Sequence, residues 1–113
     1  MSGIAIVYGA LRSGTTLLRL MLDAHPRLAC PGETDWMFDH LDLARDTHDR
    51  AALGASRIFR ASGVRFPAGR DGRAAARAMA ADLRGAAPGP VVLMIHRNLD
   101  RALEVFPGAP VIH

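Results

Sequence analysis

At 113 residues, half of them apolar and 22% charged, the chain has the balance of one globular domain and not of a disordered tail or linker. All 14 basic residues are arginine, and the formal charge of +3 is mild and spread along the sequence, so no nucleic-acid surface follows from it. The single Cys30 excludes an intrachain disulfide, no run approaches the ~20 apolar residues of a membrane helix, and the N-terminus lacks a signal-peptide pattern; a cytoplasmic protein, bound neither to membrane nor to nucleic acid, is the expectation.

The run 3–8 (GIAIVY) is continuously apolar with β-branched members, the pattern of a strand buried on both faces. It stops at Gly9. From Gly14 to Ala24 the spacing of Leu17, Leu18, Met21 and Leu22 predicts a helix, ended by His25-Pro26 because the residue before proline leaves helical geometry. After a loop over 27–32, a helix is expected over 34–44, with Thr34 as its N-cap and Met37, Phe38 and Leu41 on its apolar face. Trp36 and Phe38 read as packing residues also placed to border a ligand. A further helix is expected over 49–61, a loop over 63–72, and an Ala/Arg-rich helix over 72–85. The arginines between Arg57 and Arg84 read as solvated helix faces. Pro88-Gly89-Pro90 resets the chain before a second buried strand, 91–95. A short amphipathic helix over 99–106, a turn at Pro107-Gly108 and a third strand opening at Val111-Ile112 complete the series. Strands alternating with helices predict an α/β fold with a mainly parallel sheet.

The densest chemical signal is Tyr8-Gly-Ala-Leu-Arg-Ser-Gly-Thr-Thr16. A buried strand delivers the chain to a glycine-bearing turn and a helix begins at once, which aims backbone N–H groups and the positive helix end at one point, as an anion requires. Thr15 and Thr16 add hydroxyl donors, and Arg12 adds a fixed, many-donor cation. The spacing Gly9-x4-Gly14-Thr15-Thr16 is that of the P-loop of NTPases, except that Thr15 stands where those proteins carry lysine. That departure disfavours NTP hydrolysis or kinase chemistry and favours a nucleotide with another terminal group. His40 and His48 lack ligand spacing, so no metal site is expected.

Arg12-Ser-Gly-Thr-Thr16, running on through Leu-Leu-Arg-Leu-Met-Leu-Asp-Ala-His-Pro26, closely resembles the 5′-phosphosulfate loop of PAPS-dependent sulfotransferases, PAPS being 3′-phosphoadenosine 5′-phosphosulfate. Cys30-Pro-Gly-Glu-Thr34 resembles the Cys-Gly-Glu-Glu-Thr segment of the tyrosylprotein and related bacterial branch. His96-Arg-Asn-Leu and Phe106-Pro-Gly-Ala-Pro-Val-Ile-His113 are similar to that family's Lys-Asn-Leu and Phe-Pro-x-Ala-x-x-Ile-His runs.

The resemblance implies a P-loop-type three-layer α/β/α fold and sulfuryl transfer from PAPS to a hydroxyl or amine acceptor, on a small molecule or a peptide, without a metal. Arg12, Ser13, Gly14, Thr15 and Thr16 would hold the phosphosulfate, with Arg12 also stabilising charge on the bridging oxygen. Glu33 falls at the family's catalytic glutamate and would act as general base. Arg97 stands where that branch carries a catalytic lysine; arginine can steady a leaving phosphate but is a poor proton donor. His96 is the alternative base, since cytosolic sulfotransferases place a histidine just after the corresponding strand. The family's 3′-phosphate residues would follow Val111 and lie beyond His113. Residues 1–113 therefore read as the N-terminal part of a single sulfotransferase domain, apparently truncated as the third strand begins. The competing readings are a truncated, non-catalytic nucleotide- or phosphate-binding remnant and, more distantly, a kinase-like NTP-binding protein. A homo-oligomer is left open.

Overall fold

The computed structural model describes residues 3–9, 32–85 and 89–112. The expected helix over 14–24, the anion-binding loop, Cys30 and His113 lie outside the described residues. Within them the chain is mixed α/β with a parallel sheet. Strand β1 (Ile4–Tyr8) is central, flanked by β4 (Val91–Ile95) and by β5 (Val111–Ile112), all parallel. Ile4 aligns with Val91 and Tyr8 with Ile95, in continuous register. Every residue of β4 is buried. On one face Ile4, Ile6, Val91, Leu93 and Ile95 join the main core, while Val7, Val92 and Met94 form a second cluster on the other. Runs without polar alternation are thus what a sheet buried on both faces needs.

Between β1 and β4 lie the short helix α1 (Trp36–Asp39), a hairpin of β2 (Leu41–Asp42) and β3 (Thr47–His48), and helices α2 (Arg50–Ala55), α3 (Arg57–Ser62) and α4 (Gly72–Arg84). Helix α5 (Leu99–Val105) links β4 to β5. Two sequence expectations are corrected here. The helix expected over 34–44 lasts one turn, because the chain leaves it at His40 and folds back as the β2–β3 hairpin. Asp42 accepts the Arg45 N–H (3.1 Å), and Asp46 takes a left-handed conformation (φ 58°), so local acid-to-backbone bonds outcompete continued helix. Thr34 is not the N-cap; that position belongs to Asp35, and the Thr34 hydroxyl donates to the Met94 carbonyl at 3.3 Å.

The helix expected over 49–61 is two. Ser56 is extended (ψ 124°) and its hydroxyl accepts the Phe59 N–H (3.3 Å), so it closes α2 and caps α3. Asp49 caps α2 through the Ala52 N–H, and left-handed Gly63 ends α3. Helix α4 lays Ala75, Ala76, Met79 and Ala80 into the core, a small-residue face that lets it approach closely.

The arginines of this region are not simply solvated. Arg73 Nη1 donates to the Leu43 carbonyl (3.1 Å) and to Asp46 (3.0 Å), and Arg77 Nε donates to the Val105 carbonyl (3.1 Å), so α4 ties down both the hairpin and α5. The Arg73 backbone N–H, then its guanidinium, hold the Asp46 carboxyl below the usual carboxylate range. Asp71 is lowered chiefly by the His48 N–H, and it also caps α4 at the Gly72 N–H. Buried His48 donates from Nε2 to the Met37 carbonyl (2.9 Å), a structural bond between hairpin and α1.

Gly72 sits where these contacts converge, at φ +54°, and a Cβ there would lie 2.1 Å from the Asp46 carbonyl oxygen. Left-handed backbone costs an L-residue about 1–2 kcal/mol and overpacking about as much again, so Gly72→Ala is expected to destabilise by about 3 kcal/mol in urea unfolding. A change below about 1 kcal/mol would mean the α4–hairpin junction gives way freely.

Candidate active site

The carboxyl ends of β1 and β4 bring three of the sequence-predicted residues together. Gly9 continues the β1–β4 ladder, donating its N–H to the Ile95 carbonyl at 3.3 Å. Glu33 and Thr34 run beside the outer edge of β4: Glu33 bridges to Met94 in parallel register, and the Thr34 N–H donates to the Met94 carbonyl at 3.1 Å. His96, the first residue beyond β4, therefore lies between the end of β1 and Glu33. Its Nδ1 is 2.5 Å from the Gly9 carbonyl oxygen. A carbonyl only accepts, so Nδ1 carries the proton and Nε2 is left as the basic nitrogen. That Nε2 has no hydrogen-bond partner among the described residues although the side chain is only 7% exposed, and it stands 3.8 Å from Glu33 Oε1, beyond hydrogen-bond length. A carboxylate and an imidazole nitrogen thus face one another at the carboxyl edge of the sheet.

Arg97 projects from the same turn but is already engaged. Asp39 accepts from its Nε (3.1 Å) and Nη2 (2.5 Å), and Nη1 stands 4.0 Å from Asp35. The Asp39 hydrogen bonds are the main cause that pushes the Arg97 pKa up, so this group is a fixed cation and not a proton donor. Arg12, Ser13, Gly14, Thr15 and Thr16 lie outside the described residues, as stated above; the chain enters that loop directly from Gly9.

Sequence reading missed the residues that hold this edge together. Asp35 is buried, and its carboxylate accepts the backbone N–H of His96 (2.8 Å), that of Arg97 (3.2 Å) and the side-chain amide of Asn98 (2.9 Å). Asn98, also buried, donates in addition to Asp39 (2.6 Å) and accepts from Arg101 (3.1 Å). Asp35 occupies the N-cap position of α1 yet makes no cap bond with its side chain. An acid before an apolar turn looks like a local cap in sequence; here it reaches across some sixty positions instead. The isolated Asn98, the only asparagine in the chain, was the one available hint.

Two cavities flank this region differently. One of about 420 Å³ lies at the amino ends of β1 and β4, among Gly3, Ile4, Val91 and Phe106, away from Glu33 and His96. The other, about 160 Å³, is lined by Glu33 itself. No described helix is long and apolar enough to cross a membrane, and no metal-type cluster occurs among the described residues.

A parallel sheet with polar groups gathered beyond its strands' carboxyl ends is the class of α/β protein that binds ligands at that edge. A family model described as the sulfotransferase family matches residues 5–113. The chain belongs to the sulfotransferase family. Searches of curated proteins and of solved structures return no significant match.

Proposed function

We propose that the chain moves a sulfuryl group from PAPS to a hydroxyl or amine acceptor, with Glu33 as the general base. The observation that supports this best is the pairing of Glu33 with His96 Nε2 at the carboxyl edge of β1 and β4. Arg97, held by Asp39 at the same turn, adds a permanent positive charge, which favours an anionic donor at this edge. PAPS brings the activated sulfuryl group when bound. Residues 12–16 follow Gly9 after Ala10 and Leu11 and, on the resemblance of their motif, hold the 5′-phosphosulfate.

In the reaction the acceptor oxygen forms its bond to sulfur while the bridging S–O bond breaks, and that electron pair leaves on the 5′-phosphate of PAP. The acceptor proton passes to Glu33 as attack proceeds. His96 holds its Nε2 beside that carboxylate, and Asp35 holds the His96 and Arg97 backbones in place. No step requires a metal in this scheme, and the single Cys30 accords with a cytoplasmic setting.

Thermal unfolding with and without excess PAP, with ATP as the control, tests the reading. A ligand at a hundred times its Kd that binds only the folded chain adds about 2.7 kcal/mol. The expected result is a PAP-selective rise in Tm that needs no magnesium, followed by transfer from PAPS. A rise equal for ATP and PAP points to general phosphate binding by a non-catalytic remnant, and a magnesium-dependent preference for ATP to kinase-like chemistry.

A further inference from the structure

The larger cavity, about 420 Å³, lies at the end of the sheet opposite Glu33 and His96 and takes no part in the transfer scheme. Ligand sites span about 300–1,000 Å³, and this one is well above the ~150 Å³ that takes up benzene. Its floor is apolar: Ile4 of β1, Val91 of β4, Ala80 of α4, and Val105 and Phe106 at the end of α5. Backbone groups beside it are already bonded. The Gly3 carbonyl accepts the Val91 N–H (2.9 Å), and the Phe106 N–H donates to the Ala102 carbonyl (2.8 Å).

Helix α4 borders the cavity along Arg77, Ala80, Ala81 and Arg84, an i, i+3, i+4, i+7 stripe on one helix face. A guanidinium thus stands at each end of the stripe, with methyl groups between. Arg77 is fixed at the wall by its Nε–H, which donates to the Val105 carbonyl at 3.1 Å. At the other end, a Cβ on Gly3 would stand 3.8 Å from Arg84 Nη1, so that guanidinium reaches the start of β1. No carboxylate lines the cavity among the described residues. An apolar hollow edged by two permanent cations suits an apolar body that carries an anionic group, and the planar guanidinium fork suits a carboxylate. We propose that this cavity binds a small carboxylate on a bicyclic apolar body, with Arg77 holding the carboxylate and Arg84 adding a second positive charge. It is a second site, separate from sulfuryl transfer.

2-Naphthoate and its neutral amide, 2-naphthamide, are each titrated calorimetrically against the full chain, with and without excess PAP. 2-Naphthoate is expected to saturate at one per chain, and 2-naphthamide to bind at least tenfold more weakly. Excess PAP leaves the 2-naphthoate isotherm unchanged, because the donor loop follows the opposite end of β1. Ala81→Phe, which adds a ring to the cavity wall from an exposed helix position, weakens 2-naphthoate at least tenfold. Arg77→Met weakens 2-naphthoate at least tenfold and 2-naphthamide less than twofold, with folding checked by circular dichroism. Arg84→Gln, exposed at the helix end, serves if loss of the Val105 bond unfolds Arg77→Met, and is expected to weaken 2-naphthoate at least threefold. Absence of saturable 2-naphthoate binding overturns the assignment. Displacement by PAP also overturns it, since the carboxylate then occupies the donor site. Equal affinity for the acid and the amide, or for the parent chain and Ala81→Phe, overturns it as well. None of these results overturns the sulfuryl-transfer reading.

Discussion

Glu33→Gln is expected to lower kcat for sulfuryl transfer by about 10²- to 10⁴-fold, the usual contribution of a positioned general base. That range corresponds to roughly 3–5 kcal/mol of barrier, at 1.36 kcal/mol per decade. Gln keeps the shape and one acceptor oxygen but cannot take the proton, so the loss falls on kcat more than on KM. The geometry supplies a competitor for the same role: His96, whose Nδ1 is turned to the Gly9 carbonyl, presents Nε2 at 3.8 Å from Glu33 Oε1. A fall of less than tenfold in single-turnover kinetics would hand the base to His96. A rise in KM for PAPS at constant kcat would place Glu33 in donor binding instead.

The second large effect concerns Asp35. Asp35→Ala strips the partner from two backbone N–H groups and from the buried Asn98 amide in one step. Each buried donor left unpaired costs about 1–3 kcal/mol, and the removed group is a carboxylate, so the expected destabilisation is about 4 kcal/mol in urea unfolding. Asp35→Asn keeps one acceptor oxygen and is expected to lose about half as much. A loss below about 1 kcal/mol for the alanine variant would show that the 96–98 turn is held by the Gly9 and Asp39 contacts alone.

That a residue of such weight went unnoticed in the sequence has a physical reason. The buried strands were legible because unbroken runs such as Val91–Ile95 announce a sheet covered on both faces, and their boundaries came out within a residue. Helix α4 was legible from its alanines, and its N-cap acid, Asp71, lay at the expected boundary. The 34–61 stretch was not, because its outcome turns on side chains that bond their own backbone. Asp42 and Asp46 build a hairpin turn and Ser56 splits a helix, although each stands among residues of helical spacing. The site divides in the same way. Glu33, His96 and Arg97 were nameable from the motifs they belong to, whereas Asp35 and Asn98 act through contacts that exist only once the edge segment lies against β4. Arg77 and Arg73 carry the same lesson, since arginine on a helix looks solvated until a neighbouring carbonyl is within reach.

The placement of β1 between β4 and β5 has a bearing on how the chain reaches this state during its synthesis. Both partners of β1 lie far downstream, and its register with β4 begins only at Val91. At ribosomal rates of about 5–20 residues per second, β1 waits on the order of ten seconds before either neighbour leaves the exit tunnel. Throughout that interval Ile-Ala-Ile-Val-Tyr presents a short, uncharged, β-prone segment with both edges open, the composition that recruits other strands. Helices α2 to α4 can form meanwhile from local contacts, but the sheet closes last. Shielding of this apolar segment at the ribosome is therefore expected to matter more for this chain than for one whose first strand pairs with a near neighbour.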